Sequence, residues 1–217
     1  PGSTPLKIIT AIYPTFGAFA VKGDSPARMF NDLVGQKVAW GTKSSGLTLL
    51  GQYVTDALGL DRDKDFDAIY LERAGQGAPL VLKGEVAAQW GGGVGWPNFT
   101  KIMQAGGRLV GLSDDQKQKI NAKYPFLQPL IIPAGSYPGQ AEPLKTVGSF
   151  SFLLARADLP EELVYRLSKA IHKGQPELAK RLTQGRDTLP ENTWNAAGDP
   201  NRIHPGARRY LAELGLE

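Results

Sequence analysis

The sequence contains no cysteine. That removes disulfides, thiolate metal sites and thiol catalysis together. Histidine is nearly as scarce: His172 and His204 are the only two. His172 reads as a cation near a helix C-terminus and His204 as a helix-entry residue before Pro205-Gly206. No Gly-x-Ser-x-Gly elbow, no His-Glu-x-x-His pair and no Asp/Glu/His cluster with metal spacing occurs. The sequence therefore offers no catalytic residue, metal or cofactor. No apolar stretch approaches the roughly 18 residues of a membrane-crossing helix. No run of five like charges and no basic-aromatic stripe appears, so nucleic acid is not an expected partner. The chain opens Pro1-Gly2-Ser3, without methionine or signal peptide, which reads as a processed or truncated start.

What is present is ordinary for a soluble globular protein: 41% hydrophobic and 21% charged residues over 217 positions, with a net charge of +4. The 26 glycines and 16 prolines sit between apolar segments and read as turns. Apolar runs predict strands at Leu6–Tyr13, Phe16–Val21, Lys37–Trp40, Ala68–Leu71, Val86–Trp90, Arg108–Leu112 and Thr146–Ala155. Helical spacing predicts helices at Leu47–Leu58, Ala78–Leu82, Phe99–Ala105, Ser113–Ile120 and Gly206–Leu214. Asp24-Ser25-Pro26 fits a helix start. Asp158, with Glu161 three residues on, predicts a capped helix to about His172, followed by another over 177–184. The segment 124–143 is too rich in Pro and Gly to be one element. This alternation predicts an α/β fold with a largely parallel sheet, whose ligands bind beside helix N-termini.

Three segments could carry chemistry. Gly41-Thr42-Lys43-Ser44-Ser45-Gly46 lies between a strand and a helix, where open N–H groups suit a carboxylate or phosphate. Thr42, Ser44, Ser45 and Thr48 add hydroxyls. A well-capped helix without a ligand explains the same residues equally well. Leu47-Thr48 stands where a phosphate-binding P-loop needs Lys then Ser or Thr, so nucleotide hydrolysis is not expected. Trp90-Gly91-Gly92-Gly93-Val94-Gly95-Trp96-Pro97 offers close backbone approach and flat apolar walls; its alternative is a turn beside core tryptophans. The loop Pro133–Gln140 is functional or a plain connector. Asp61, Asp63, Asp65 and Asp67 alternate, and Glu72 falls at the twelfth position of an EF-hand. Phe66, however, replaces its required glycine. With Arg62 and Lys64 interleaved, a solvated charged loop is the favoured reading.

One ordered set of motifs resembles a known family. Tyr124-Pro125-Phe126, Ile132-Pro133-Ala134-Gly135-Ser136-Tyr137-Pro138-Gly139-Gln140, Val147-Gly148, Arg156-Ala157-Asp158-Leu159-Pro160-Glu161 and His204-Pro205-Gly206-Ala207, with Tyr210 and Gly215, resemble the TAXI family of TRAP-transporter solute receptors. Ile12-Tyr13-Pro14, Val34-Gly35-Gln36-Lys37-Val38 and Gly41-x3-Ser45-Gly46 fit as well. The resemblance covers essentially the whole chain. It implies a two-lobe α/β fold of the type II periplasmic binding-protein kind that captures its ligand by closure. Lobe one would comprise 1–35 plus 141–217 and be incomplete at its N-terminal side; lobe two would comprise 36–140. The implied ligand is a small organic anion, such as glutamate, another amino acid, a dicarboxylate or an oxo-acid. It would be passed to the membrane subunits of a TRAP transporter from a periplasmic receptor. Thr42, Ser44, Ser45, Gly46 and Thr48 would hold the carboxylate. Trp90, Gly92 and Trp96 would shape an unusually aromatic wall, with Tyr13 and Tyr137 adding hydroxyls. A homodimer that replaces the missing part of lobe one is left open. The rivals are a ligand-sensing or protein-interaction module on the same fold, and a transferase. Only Lys43 is ionisable beside the anion loop, which disfavours the transferase.

Overall fold

A computed structural model of the chain describes residues 5–216. Residues 1–4 and 217, which the sequence reading placed in lobe one, lie outside the described residues. The fold is mixed α/β, and the chain divides into two compact units, Thr15–Ser149 and Pro1–Pro14 with Phe150–Glu217. The unit boundaries fall at 14/15 and 149/150 instead of 35/36 and 140/141. The reason lies in strand β1, which runs unbroken as Leu6–Val21 where the sequence suggested two short strands. Its second half and the segment Phe30–Leu33 bury side chains in the core of the larger unit.

In the larger unit, β2 (Lys37–Thr42) pairs in parallel with β3 (Asp67–Leu71) and with β4 (Ala88–Gly92). Strand β1 runs antiparallel to β4, with Phe19 opposite Trp90, and antiparallel to β5 (Arg108–Val110). Strands β6 (Gln128–Ile132) and β7 (Leu144–Arg156) pair antiparallel, so part of the Pro-rich segment is regular after all. Proline lacks the N–H that a ladder needs, and in β6 only Pro129 interrupts the donors. Helices α1 (Gly46–Ala57), α2 (Gly77–Lys83), α3 (Pro97–Gln104) and α4 (Asp114–Lys123) complete the unit.

The helix suggested after Asp24 does not form. The Arg108 guanidinium takes up the carbonyls of Gly23, Ser25 and Ala27. Those carbonyls would otherwise accept from a helical turn, so the segment stays irregular until the short 3₁₀ turn Phe30–Leu33.

The centre of this unit is aromatic. Trp40 and Trp90 lie 5.3 Å apart, Phe19 lies 4.8 Å from Trp90, and Phe66 lies 5.2 Å from Trp40. Both indoles are fully buried. Gly51 on α1 lets them approach: a Cβ there would sit 2.8 Å from the Trp40 ring and 3.0 Å from the Trp90 nitrogen.

In the smaller unit, helix α5 spans Glu161–Arg181 without a break and carries Pro176 inside it; two helices separated near His172 were expected. Asp158 does not cap it. Pro160 holds the N-cap position, and Asp158 pairs with Arg156. Helices α6 (Pro190–Ala197) and α7 (Pro205–Glu213) follow, the first not foreseen in the sequence. Gly206 lets α7 meet α5, since a Cβ there would stand 2.1 Å from the Glu161 carbonyl. Ile8, Ile9, Val164, Ile203, Ala207 and Leu211 form this unit's core.

His172 is buried in that core among hydroxyls and stacked on Tyr210. Thr10 donates to the Ala11 carbonyl, so the His172 Nε2, at 2.8 Å, carries the proton and donates to the Thr10 hydroxyl. Burial pushes the imidazole down to about 4 from 6.5, with Glu191 opposing weakly.

Two outcomes follow. Gly51→Ala, which in an exposed helix interior stabilises by about 0.8–1 kcal/mol, is expected here to destabilise by about 1–3 kcal/mol, because the rigid indoles must move; urea unfolding measures it. For His172, only the unfolded chain gains a proton between its ordinary value and about 4. Stability is therefore retained above pH 6.5 and falls as pH drops from 6.5 to 4, by up to about 3 kcal/mol. Unfolding midpoints taken across that window should show this slope, and His172→Gln should flatten it.

Candidate functional site

Near the end of strand β2 stands Gly41, whose φ of +106° needs a residue without a side chain. The chain then turns through Thr42–Ser45 into α1. Ser45 is the N-cap, its Oγ accepting from the Thr48 N–H at 3.2 Å. The Thr48 hydroxyl donates back to the Thr42 carbonyl at 2.8 Å and lies 3.0 Å from Ser45 Oγ. The Ser45 carbonyl takes the Leu49 N–H. This leaves the N–H groups of Gly46 and Leu47 as the open donors of the helix start, with the positive end of the helix dipole behind them.

Of these, Gly46 lines a pocket of about 280 Å³, together with Lys43, Ser44, Ser45, Thr48, Leu49, Gln52 and Arg62. It lies wholly within the larger unit. Ser44 and Gly46 are exposed. A Cβ on Gly46 would meet nothing within 4 Å. No carboxylate lines the pocket, so its charge is positive.

Arg62 is the residue sequence reasoning missed. It was assigned to a solvated loop, but its side chain is only 10% exposed. Its Nη1 donates to the Thr48 carbonyl at 2.6 Å, and its guanidinium lies 5.2 Å from the Tyr70 ring centre. The sequence carries no signal for this, because only the fold returns residue 62 to the first turn of α1. The aspartates around it do form a local loop: Asp61 accepts from the Asp63 N–H and pairs with Lys64, and Asp65 accepts from the Asp61 N–H. Among the described residues, no group of three or more His, Cys, Asp or Glu could hold a metal ion.

The structure thus gathers Ser44, Ser45, Gly46 and Thr48 at one pocket, with Thr42 behind it as a carbonyl anchor. The Thr48 hydroxyl is spent inside the protein and is a cap, not a ligand donor. The aromatic wall needs correction. Trp90 is fully buried, and its indole N–H donates to the Leu47 carbonyl at 2.9 Å, so it supports α1 from behind. Gly92 is buried against Phe99 and Trp96. Trp96 is half-buried and begins α3 as its N-cap. Tyr137 is buried, and its hydroxyl donates to the Gly93 carbonyl at 2.8 Å. Burial raises its pKa well above the ordinary value. The Pro133–Gln140 loop therefore clamps the glycine turn rather than offering a hydroxyl to a ligand. Tyr13 is half-buried on β1 in the smaller unit and is not among the residues lining this pocket.

The mixed α/β fold matches that of type II-like periplasmic binding-protein structures. A structure described as the periplasmic sulfonate-binding protein SsuA of Methylobacillus flagellatus KT is 14% identical, with a TM-score of 0.57, over 98% of this chain and 70% of that one. The aliphatic sulphonate binding protein SsuA of Escherichia coli is 18% identical, with a TM-score of 0.49, over 97% of this chain. This chain spans 60% of the length of that relative. The chain belongs to the NMT1-like family, which it matches over residues 2–215. Among the described residues no helix is long and apolar enough to cross a membrane.

Tyr137→Phe tests the clamp. Gly93 also accepts from the Trp96 N–H, so the loss is expected to be about 1 kcal/mol of stability, read by chemical denaturation. Anion affinity at the α1 pocket should not change. A loss of affinity with unchanged stability would restore Tyr137 as a ligand contact.

Proposed function

We propose that the chain is the solute-binding part of an extracytoplasmic receptor serving a membrane transporter, and that the pocket at the start of α1 holds the acidic group of its solute. The observation that carries this reading is the pocket itself. It combines the open backbone donor of Gly46, the Ser44 hydroxyl, Lys43 and Arg62, with no carboxylate in the lining. Such a set binds oxyanions and has no group placed to make or break a bond. The two compact units correspond, in this reading, to the two lobes of such receptors.

The solute is a small carboxylate, such as an amino acid, dicarboxylate or oxo-acid, and the transporter is of the TRAP type. The motif set Pro133–Gln140, Arg156–Glu161 and His204–Ala207 supports this. A sulfonate handed to an ABC transporter is the second reading, favoured by the likeness to the Methylobacillus flagellatus sulfonate-binding protein. Both readings use the same pocket.

Calorimetric titration with amino acids, dicarboxylates, oxo-acids and alkyl sulfonates separates them. One class should bind saturably, and Gly46→Val should abolish binding while the fold survives, since its side chain enters open space. Binding unaffected by Gly46→Val would place the solute elsewhere, and silence across the panel would end the receptor reading.

A further inference from the structure

Arg62 is an unusual cation. A guanidinium has five N–H donors in a fixed fork. In Arg62, Nη1 bonds the Thr48 carbonyl at 2.6 Å, while Nε is buried with no partner. Its counter-ion Asp63 is 3.4 Å away from Nη2 and 55% exposed. The same carboxylate also accepts from the Tyr70 hydroxyl. The planar group lies 5.2 Å from the Tyr70 ring centre and 6.0 Å from that of Trp40. Lys43 Nζ is 5.7 Å from the same Tyr70 ring. A charge held this far from water, with donors unspent and a half-solvated counter-ion, is completed by an incoming anion.

The helix start and Lys43 already suffice for one negative charge. Arg62 adds a second fixed positive charge on the same pocket, and water screens its partner Asp63 more than it screens Arg62. From this we infer that Arg62 is the specificity-determining residue of the pocket, and that the pocket selects doubly charged oxyanions over singly charged ones of the same shape. The inference rests on the pocket being the solute site. Arg62 acts in two ways: its charge faces the pocket, and its bond to the Thr48 carbonyl holds the first turn of α1 and its open donors in place.

Inorganic sulfate and methanesulfonate test it. Both are tetrahedral sulfur oxyanions, and they differ by one charge. Amide chemical shifts of Gly46 and Leu47 are followed at constant low ionic strength in the protein and in Arg62→Gln, Arg62→Lys and Asp63→Asn. Sulfate should bind about tenfold more tightly than methanesulfonate. Arg62→Gln should reduce that ratio to below about threefold, and Arg62→Lys should keep most of it. Asp63→Asn changes a half-exposed residue and keeps an acceptor for Tyr70; it should raise the ratio. If Arg62→Gln loses its folded amide spectrum, Asp63→Asn decides the role of Arg62. Equal affinities for the two anions in the native protein, or a ratio indifferent to Arg62→Gln or to Asp63→Asn, would overturn the inference while leaving the solute site intact. No shift of either amide with either anion would remove the site and the inference together.

Discussion

The larger unit is organised around two indoles that share one small space because position 51 of α1 has no side chain. Trp40 comes from β2 and Trp90 from β4, the neighbouring parallel strand, and α1 lies across both. The helix is therefore fixed at its middle by the aromatic core and at its start by the Trp90 bond to the Leu47 carbonyl. The open donors of Gly46 and Leu47 inherit their position from that packing. A ligand pocket on a helix start has little precision of its own, since only the first turn shapes it. Here apolar burial supplies the rigidity, and the hydroxyls of Ser45 and Thr48 close the turn.

Much of this was legible in the sequence. The strand-Gly-x4-Gly-helix pattern at 41–46 announced the turn and the capped start of α1, because local rules decide caps and turns. The tryptophans were not legible in the same way. An indole beside glycines reads as a wall when nothing shows what covers it, and burial depends on partners distant in sequence. Phe19 and Phe66 enclose Trp90 and Trp40, and no local pattern announces that. Arg62 failed for the same reason in reverse: a charged loop pattern is ordinarily solvated, and only the return of the chain to Thr48 buries it.

Backbone accounting explains the remaining differences in the fold. The turn after Asp24 looked like a helix start, but Arg108 had already claimed the carbonyls a helix would use. Helix α5 continues past His172 through Pro176, whose ring removes only one donor, and the turn at Gly185 packs against Leu178 and accepts from Gln175 on either side of that proline. Side-chain competition for backbone groups thus broke one expected helix, while tertiary packing carried another through its weakest residue. The hydroxyls of Thr10 and Thr193 beside His172 give the smaller unit a buried polar cluster, in which the His172 Nδ1 has no hydrogen-bond partner.

The Trp40–Trp90 pair also has an optical meaning. With ring centres 5.3 Å apart and planes inclined at 46°, the two indoles do not absorb independently. Their strongest transition dipoles couple in a fixed chiral arrangement, so the pair is expected to add a positive and a negative band to the far-ultraviolet circular dichroism. The molecule therefore contains an internal gauge of its larger unit's packing that needs no label, and that reads the support beneath the pocket rather than the pocket itself.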